Sequence, residues 1–572
     1  MRRFLTRRGY LWTVGICAIC YAASPRAQEA RPTFPRSAQP DVPLEQLTPP
    51  RDPRPKAELR VPEGALTAAP AGAEEVRFLL TGLDIDGVTA FGAEVMNPLL
   101  AGLVGKEVSL ADVYEAAADI QKRYRQDGYF LSRVMIPPQV IEGGRVRIVV
   151  LEGYVSDIEY QGDVGPVQEL IESYLDHVLA ERPLKLATLE RYLLLAKDIP
   201  GVNVNGVLRP SPDEVGAAQL VVTAERKRFD GLVMIDNIGS TFTGEWEVAG
   251  SVAANSFTRF GENLTLVALL SDPGQSLSND PKNQKVFQVS GSLRPDARGT
   301  YVNLLGSYGD SNPGALLSEF DFDSTKLLVS AVGGYPLIRS RDRSLAVELG
   351  FDYIDSNTDV FDNVKFSRDR LRVLHVDALM DFRDRWGGAN NLVASLRQGL
   401  PILNASESGD EYLSRLDGSG VFTSVRAGAS RYQPVYGKVG FFGEVAAQYA
   451  FDDLLSDEEF DVGGTRFGRG YDPKELSGDH GVGFTGELQY TQTEGNRFVD
   501  RYQLFGFYDV GNVWDRGTDL SASLASAGAG LRAWFARDIS IALEVAQPLT
   551  RDSQRADDTK DTQLLFRAFA RF

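Results

Sequence analysis

From about residue 229 to the C-terminus, hydrophobic and polar residues alternate with a period of two. Between Leu345 and Tyr353 every odd-numbered residue is apolar and every even-numbered one is small or acidic, and Ile539 to Val545 repeats the pattern. Successive side chains of a β-strand lie on opposite faces, so the alternation predicts strands with one apolar face and one wet face. Sixteen such segments occur in residues 228–572.

A soluble β-sandwich also alternates, but its core would not accept Glu348, Asp352 and Glu544 on the inner face. In a transmembrane barrel the inner face lines a wet lumen, and the bilayer penalises charge only on the outer face. An even strand number is typical of bacterial outer-membrane barrels. Residues 228–572 are therefore predicted to form a 16-stranded antiparallel transmembrane β-barrel in contact with outer-membrane lipid.

Residues 75–227 show a different pattern, in which helices alternate with short strands. One apolar stripe at helical spacing runs from Leu110 to Tyr124, and Gly128 follows as a stop signal. Strands are predicted around this helix at residues 76–83, 129–136 and 145–151. A similar order follows, so the sequence predicts two α+β modules: a first module at residues 75–152 and a second module at residues 153–227.

The first residues indicate the compartment. Residues 1–27 begin with four arginines within the first eight positions, followed by the apolar stretch 9–23 and small residues, which is typical of a secretory signal peptide. Residues 28–74 contain ten prolines, each of which blocks helix continuation. We therefore expect an extended, mobile Pro-rich segment with little room for a long helix.

Composition narrows the classes of function. Removing residues 1–27, which hold five Arg and no acid, changes the net charge from −18 to −23, and a strongly acidic chain argues against nucleic acid as a partner. Cys17 and Cys20 lie within the predicted signal, and the three histidines are scattered, so no metal or other cofactor is expected. The chain has neither a Gly-rich phosphate loop with Lys-Ser/Thr nor a Gly-x-Ser-x-Gly elbow, so we do not expect an enzyme.

The chain ends on a predicted strand with an aromatic residue, Phe572, at the last position. Five residues of this strand share one face: Leu564, Phe566, Ala568, Ala570 and Phe572. This ending resembles the signal by which outer-membrane barrels are passed to their assembly machinery. The resemblance implies that machinery as a partner and Phe572 as part of the signal.

Four stretches together resemble the transporters of two-partner secretion, the haemolysin and filamentous-haemagglutinin secretion proteins of the polypeptide-transport barrel superfamily. They are residues 129–153 (with Pro-Pro-Gln at 137–139 and Leu-Glu-Gly at 151–153), residues 189–202 (with Pro-Gly at 200–201), residues 236–244 and residues 467–471 (Phe-Gly-Arg-Gly-Tyr). The resemblance implies that the two modules are POTRA domains in the periplasm. It also implies an outer-membrane pore that exports an unfolded partner exoprotein, haemolysin-like or adhesin-like, without nucleotide hydrolysis.

Two parts of the barrel are similar to the family's loop-lock motif: Gly468, Arg469, Gly470 and Tyr471 in a loop of about thirty residues, and Phe507, Asp509 and Gly511 on the thirteenth strand. The resemblance implies that Arg469 pairs with Asp509 and locks the loop tip to the wall. If that pair acts alone, losing either partner should have a similar effect. Relatives often carry Val where this chain has Gly468, and they begin with a plug helix for which the Pro-rich segment leaves little room.

Two other functions remain open at this point. A barrel-assembly or insertion factor of the same superfamily would usually carry more than two modules, and the Pro-Pro-Gln and Pro-Gly signatures favour secretion. A porin-like channel with an unrelated periplasmic extension would not need the motif residues Arg469 and Asp509.

Overall fold

The structure is a computed structural model that describes residues 34–40, 69–273, 283–361, 364–493, 499–518, 521–535, 538–556 and 559–572. The predicted signal peptide, residues 1–27, and most of the Pro-rich segment lie outside the described residues. The chain divides into two units, Met1–Phe34 and Pro35–Phe572. Within the described ranges, no helix is both long and apolar enough to cross a membrane.

The first module is a helical layer on short strands. Its elements are β1 (Arg77–Leu79), β2 (Gly82–Asp86), α1 (Ala93–Leu100), β3 (Glu107–Ser109), α2 (Leu110–Gln126), β4 (Arg133–Met135) and β5 (Arg145–Leu151). A capping box begins α2: Ser109 Oγ accepts from the backbone N–H of Asp112 (3.2 Å), and the Asp112 carboxylate accepts from the N–H of Ser109 (2.7 Å). The helix ends beside Gly128 at φ +89°, as predicted, and buries Ile120 and Tyr124 in the core.

The second module repeats the plan with β6 (Tyr154–Gln161), α3 (Gln168–Ala180), α4 (Leu186–Lys197), β7 (Val202–Pro210) and β8 (Ala217–Arg226). Its sheet has the order β6-β8-β7, in which β6 runs parallel to β8 and β7 antiparallel. One face of each helix is buried against this sheet, including Ile171, Leu175 and Leu189. The 3.6-residue period of the sequence therefore marks the core face of each helix.

Two predicted strand boundaries are wrong, and at both places a side chain is buried in a hydrophobic core where the strand was expected to continue. The strand predicted at 129–136 is confined to β4, because Phe130 and Leu131 pack against the core of the second module. The strand predicted at 76–83 is broken at the fully buried Leu80, so that β1 pairs with β3 whereas β2 pairs with β5. The local alternation of hydrophobic and polar residues does not predict either of these tertiary contacts.

The chain passes from the first module to the second at Glu152 and Gly153, and Glu152 is bound by residues of the first module. The Glu152 carboxylate accepts from the Thr89 backbone N–H (2.7 Å) and the Tyr124 hydroxyl (2.6 Å). Burial alone would raise the pKa of Glu152, but these hydrogen bonds outweigh it and the pKa is lowered. A Cβ on Gly153 would lie 2.4 Å from Leu131 Cβ, so only glycine lets the modules approach this closely.

The remaining chain forms a closed antiparallel barrel of sixteen strands, as predicted. The strands are β9 (Phe229–Asp236), β10 (Glu247–Asn255), β11 (Asn263–Ser271), β12 (Asn283–Leu293), β13 (Tyr301–Asn312), β14 (Asp323–Arg339), β15 (Arg343–Val360), β16 (Val364–Arg383), β17 (Ala389–Gly399), β18 (Thr423–Tyr436), β19 (Val439–Ala450), β22 (His480–Gln492), β23 (Val499–Trp514), β24 (Ser521–Phe535), β25 (Ile539–Pro548) and β26 (Gln563–Arg571). Between β19 and β22 lies a separate hairpin of β20 (Phe460–Val462) and β21 (Leu476–Gly478).

The two faces of the wall follow the predicted period. In β23 the odd residues from Arg501 to Val513 are buried, and the even residues between them are exposed or half-buried. Leu504 and Tyr508 on the outer side have about half of their surface exposed, 49% and 47%. A largely apolar exposed set beside a buried set that includes Arg501, Gln503 and Asp509 is what lipid outside and a filled lumen inside require.

The second module sits on the mouth of the barrel at which β9 begins. Asp198, at the end of α4, binds the Arg339 guanidinium with both carboxylate oxygens (2.6 and 2.7 Å). Glu190 pairs with Arg341 (2.6 Å), and Arg191 donates to backbone carbonyls of two barrel turns. These contacts fix the orientation of the second module relative to the lumen.

We predict that Leu189→Ala destabilises the second module by about 2–5 kcal/mol, because it leaves a cavity at a buried core position. The barrel should remain folded in the same variant. The measurement is urea-dependent protease cleavage within residues 153–227 of the full chain in detergent, with unheated gel mobility reporting the barrel.

Val215→Ala is the matched control, because Val215 is 93% exposed and its truncation should cost under about 0.5 kcal/mol. An unchanged urea midpoint for Leu189→Ala would contradict the assigned core.

Candidate functional site

The chain between β19 and β22 returns into the barrel instead of remaining outside. We call residues 451–479 the lumen loop. It contains a 3₁₀ turn (Ser456–Glu458), the stem strands β20 and β21, and the short helix α5 (Gly464–Phe467) between them. Its tip contacts side chains of β22, β23 and β25 that face inward, so the tip lies in the lumen.

Arg469 and Asp509 meet in the lumen. The guanidinium donates to both carboxylate oxygens of Asp509, from Nε (3.0 Å) and Nη2 (2.9 Å), and the backbone N–H of Arg469 adds a third bond (3.2 Å). The carboxylate also accepts from Thr485 Oγ1 (2.6 Å). Arg469 is 5% exposed and Asp509 is fully buried, so each depends on the other for compensation of its charge.

Arg469 has more partners than the sequence suggested. Its Nη1 donates to Glu487 (2.7 Å) and to Glu544 (3.3 Å), and the guanidinium stacks 3.7 Å from the centre of the Phe507 ring. Burial alone would lower the pKa of Arg469, but the carboxylates outweigh it and the pKa is raised. The arginine is therefore a permanent cation in a site with three acids.

The other predicted motif residues lie around this contact. A Cβ on Gly470 would lie 2.9 Å from the backbone nitrogen of Pro548, and one on Gly511 would lie 2.5 Å from Val462 Cγ1. Gly468 is equally close to Leu524, whose Cδ1 would be 2.6 Å from a Cβ. Close approach of the loop to the wall thus requires glycine at all three positions. Tyr471 is 1% exposed and donates to the carbonyl of Ala525 (3.1 Å).

The opposite arm of the lumen loop binds the opposite wall, a contact that the sequence reasoning missed. Asp457 pairs with Lys326 on β14 (2.8 Å). Glu458 pairs with Arg397 on β17 (2.9 Å) and Arg426 on β18 (2.8 Å). The acidic run at 457–459 was the available signal, but loops of this barrel are acidic in general. The lumen loop therefore spans the lumen and is held by ion pairs at both walls.

Part of the N-terminal Pro-rich segment also lies in the lumen. Arg36, in a 3₁₀ turn (Arg36–Ala38), pairs with Asp461 of the lumen loop (3.0 Å), and Ser311 Oγ donates to the carbonyl of Ala38 (2.9 Å). Arg36 is 7% exposed. The expectation of an extended, mobile segment is wrong for residues 35–40, because a buried arginine with acidic partners fixes them.

Three carboxylates near this arm have the spacing of a metal site: Glu459, Asp479 and Asp515. Arg415 already lies among them, with Nη1 3.1 Å from Glu459 and Nη2 3.0 Å from Asp515. A guanidinium thus supplies the positive charge that these acids need.

Phe572 lies at the periplasmic end of β26, where its ring is 67% exposed on the outer face. Its backbone exchanges two hydrogen bonds with Gly231 of β9 (3.0 and 3.1 Å). The predicted residue is therefore part of the closure between the last strand and the first, remote from Arg469.

A closed 16-stranded barrel with α+β modules at its mouth and a charged loop across its lumen defines an outer-membrane transporter with periplasmic modules. Residues 216–533 match the family "Haemolysin secretion/activation protein ShlB/FhaC/HecB", and residues 78–153 match "POTRA domain, ShlB-type". The first match covers more than half of the chain, so the chain belongs to the haemolysin secretion/activation protein family, whose members are transporters of two-partner secretion.

The chain is similar to several curated relatives along most of their length. It is 25% identical over 471 residues to the heme/hemopexin transporter protein HuxB of Haemophilus influenzae, which covers 80% of this chain and 81% of HuxB. It is 22% identical over 491 residues to the outer membrane transporter CdiB of Dickeya dadantii, with 82% and 83% covered. Among solved structures, CdiB from Escherichia coli has a TM-score of 0.74 at 22% identity and covers 89% of this chain and 94% of CdiB, which supports the fold.

The geometry predicts unequal effects for the two sides of the lock. Asp509→Ala leaves Arg469 with Glu487 and Glu544, whereas Arg469→Ala leaves the fully buried Asp509 without its arginine and leaves Glu487 and Glu544 with Arg532 alone. Breaking a buried pair typically costs ~3–5 kcal/mol, and Arg469→Ala should lie at the upper end. We expect trypsin added to intact cells to cleave the lumen loop readily in Arg469→Ala and more slowly in Asp509→Ala.

Arg466→Ala is the matched control, because Arg466 lies in the same loop but is 41% exposed, and a pair of that kind contributes about 0–1 kcal/mol. Equal cleavage of the Arg469 and Asp509 variants would contradict this prediction and indicate that the two residues act as one isolated pair.

Proposed function

We propose that this chain exports an unfolded partner exoprotein across the outer membrane, and that the lumen loop must leave its place to admit the partner. The observation that supports this is the loop's attachment to both walls through ion pairs, from Arg469 on one side and Glu458 on the other. Such contacts can be released without opening the backbone ladder of the barrel. Ion pairs are suited to this because both ions regain hydration when they separate.

The periplasmic modules would receive the partner first. Within the described residues, β6 and β7 are the edge strands of the second module's sheet, and no strand pairs with their outer sides. An exposed edge presents unpaired N–H and C=O groups to which an extended peptide can add as a further strand. Because the second module is fixed on the barrel mouth through Asp198 and Arg339, a bound segment would be held close to the lumen entrance.

The energy for export would come from folding of the partner outside the cell. The sequence contains no nucleotide-binding motif, and a chain that folds after passage cannot return as an extended strand. The two alternative functions, a barrel-assembly factor and a porin-like channel, are less well supported, because the family match spans both the end of the second module and most of the barrel.

We further propose that the assembly machinery recognises β26, with Phe572 as part of the signal, and that outer-membrane lipid covers the exposed face. The support is that Leu564 and Phe572 are 64% and 67% exposed on the same side of the last strand. Large apolar side chains on an outward face need lipid or protein to cover them.

The proposal predicts export in cells that express this chain together with the large secreted protein encoded beside it. The exoprotein should appear in the medium with the intact chain and should remain in the periplasm with Arg469→Ala. The measurement is immunodetection of the exoprotein in both fractions, with barrel levels checked by unheated gel mobility. Normal export by a well-inserted Arg469→Ala variant would contradict the role of the lumen loop.

Residues 35–40 occupy part of the lumen, so their removal should widen the pore. We predict that deleting residues 28–40 raises single-channel conductance in planar bilayers several-fold, and that Arg36→Ala produces frequent brief openings because Asp461 loses its cation. Arg36→Lys retains the charge and should resemble the parent chain more closely. Unchanged conductance after the deletion would mean that this segment does not restrict the pore.

A further inference from the structure

The seam between the last strand and the first is the weakest ladder next to the lumen loop. β26 pairs with β9 over five residues, Arg567 to Arg571 against Leu232 to Asp236, and one backbone contact extends the ladder at each end: Phe572 exchanges two bonds with Gly231, and the Asn237 N–H donates to the Phe566 carbonyl (3.2 Å). By comparison, β9 pairs with β10 over eight residues, and β25 pairs with β26 over eight. At its far end, away from the modules, the seam therefore lacks part of the backbone pairing that its neighbours have.

The side chain of Asn237 supplies hydrogen bonds where backbone pairing between β9 and β26 is missing. Its Nδ2 donates to the carbonyl of Leu564 (2.9 Å), and its Oδ1 accepts from the backbone N–H of Phe566 (2.7 Å). An asparagine amide has the same donor and acceptor as a peptide group, so it continues the ladder. Its orientation decides whether the far end of the seam is closed.

Arg555, in the loop between β25 and β26, holds the backbone of β9 at this point. It donates from Nη2 to the carbonyl of Asn237 and from Nη1 to the carbonyl of Gly239 (2.8 Å for the latter). Its side chain is only 3% exposed. A buried guanidinium that serves two carbonyls still needs a carboxylate to compensate its charge.

The lumen loop supplies that carboxylate through Asp472, directly after the predicted motif. Asp472 is fully buried, with Oδ1 3.6 Å from Arg555 Nη1. It also accepts from the Ser240 hydroxyl (3.1 Å) and from the backbone N–H and hydroxyl of Thr241 (3.0 and 2.8 Å), in the turn between β9 and β10. One carboxylate thus joins the lumen loop, the first hairpin and the last extracellular loop.

We propose that Asp472 is a positioning residue that keeps the far end of the seam closed, acting through Arg555 on Asn237. The inference rests on the proposed function only in that the same loop has to move. When the loop leaves its place, Arg555 loses Asp472, the carboxylate with which it forms an ion pair, and the β9–β10 turn loses its anchor. Release of the lumen loop therefore loosens the β9–β26 seam at the same time.

The test is hydrogen exchange, followed by mass spectrometry, of the full chain in detergent micelles. In Asp472→Asn, amides 564–567 of β26 should exchange about tenfold to a hundredfold faster than in the parent chain, because a buried charge-assisted contact is lost. Amides in the β14–β15 hairpin should not change. Asp552→Asn is the matched control, since Asp552 is exposed in the same loop as Arg555.

Asn237→Ala removes the two side-chain hydrogen bonds that extend the β9–β26 ladder. Its exchange rate at 564–567 therefore sets the largest increase expected for this seam. Arg555→Lys keeps the charge but loses the forked donors, so it also weakens the contact with Asp472. Its exchange at 564–567 tests the proposal if Asp472→Asn fails to insert. Parent-like exchange at 564–567 in Asp472→Asn or Arg555→Lys, together with fast exchange in Asn237→Ala, would overturn the proposal. Faster exchange throughout the barrel would overturn it as well. Because the readout is exchange and not export, it separates failure of this inference from failure of the proposed function.

Discussion

A charge inside a membrane barrel has to find its partner within the same lumen, and the arrangement of this protein depends on that constraint. The wall faces lipid on one side, so inward side chains cannot be exchanged for apolar ones without losing the wet interior. Glu487 and Asp509 on the wall are compensated by Arg469 from the lumen loop, and Glu458 from the loop is compensated by Arg397 on the wall. Loop and wall are thus each other's counter-ions.

This exchange of charge explains why the loop is held firmly and can still be released. A buried ion pair adds little net stability, since desolvation of both ions offsets their attraction, but removing one member costs ~3–5 kcal/mol. Displacing the whole loop is therefore easier than removing one residue from it, because water replaces every lost contact at once. The loop also buries apolar side chains against the wall, and exposing them on release costs about 25 cal/mol per Å²; they include Leu454, Leu455 and Phe467.

The sequence alone predicted more of the barrel than of the candidate site. The alternation around Glu348 and Glu544 is a local signal of lipid on one side, and it predicted the sixteen strands and the inward face of β23. The contact of Arg469 with Asp509 was inferred from resemblance, and no local pattern pointed to Glu487 as a further partner of that arginine. Residues 35–40 show the same limit, because their prolines indicate an extended chain, whereas Arg36 is fixed by acids more than 400 residues away.

The rigid parts of the molecule restrict where movement can occur. Gly153 lets Leu131 of the first module pack closely against the second module, and Asp198 fastens the second module to the barrel mouth. In the described part of the chain, the lumen loop and the segment around Arg36 lie in the lumen outside the backbone ladder of the barrel, and each is held there in part by ion pairs. Those two meet at Asp461, which belongs to the loop and binds the segment. A disturbance that displaces either one removes a counter-charge from the other, so the two obstacles in the lumen are expected to leave together.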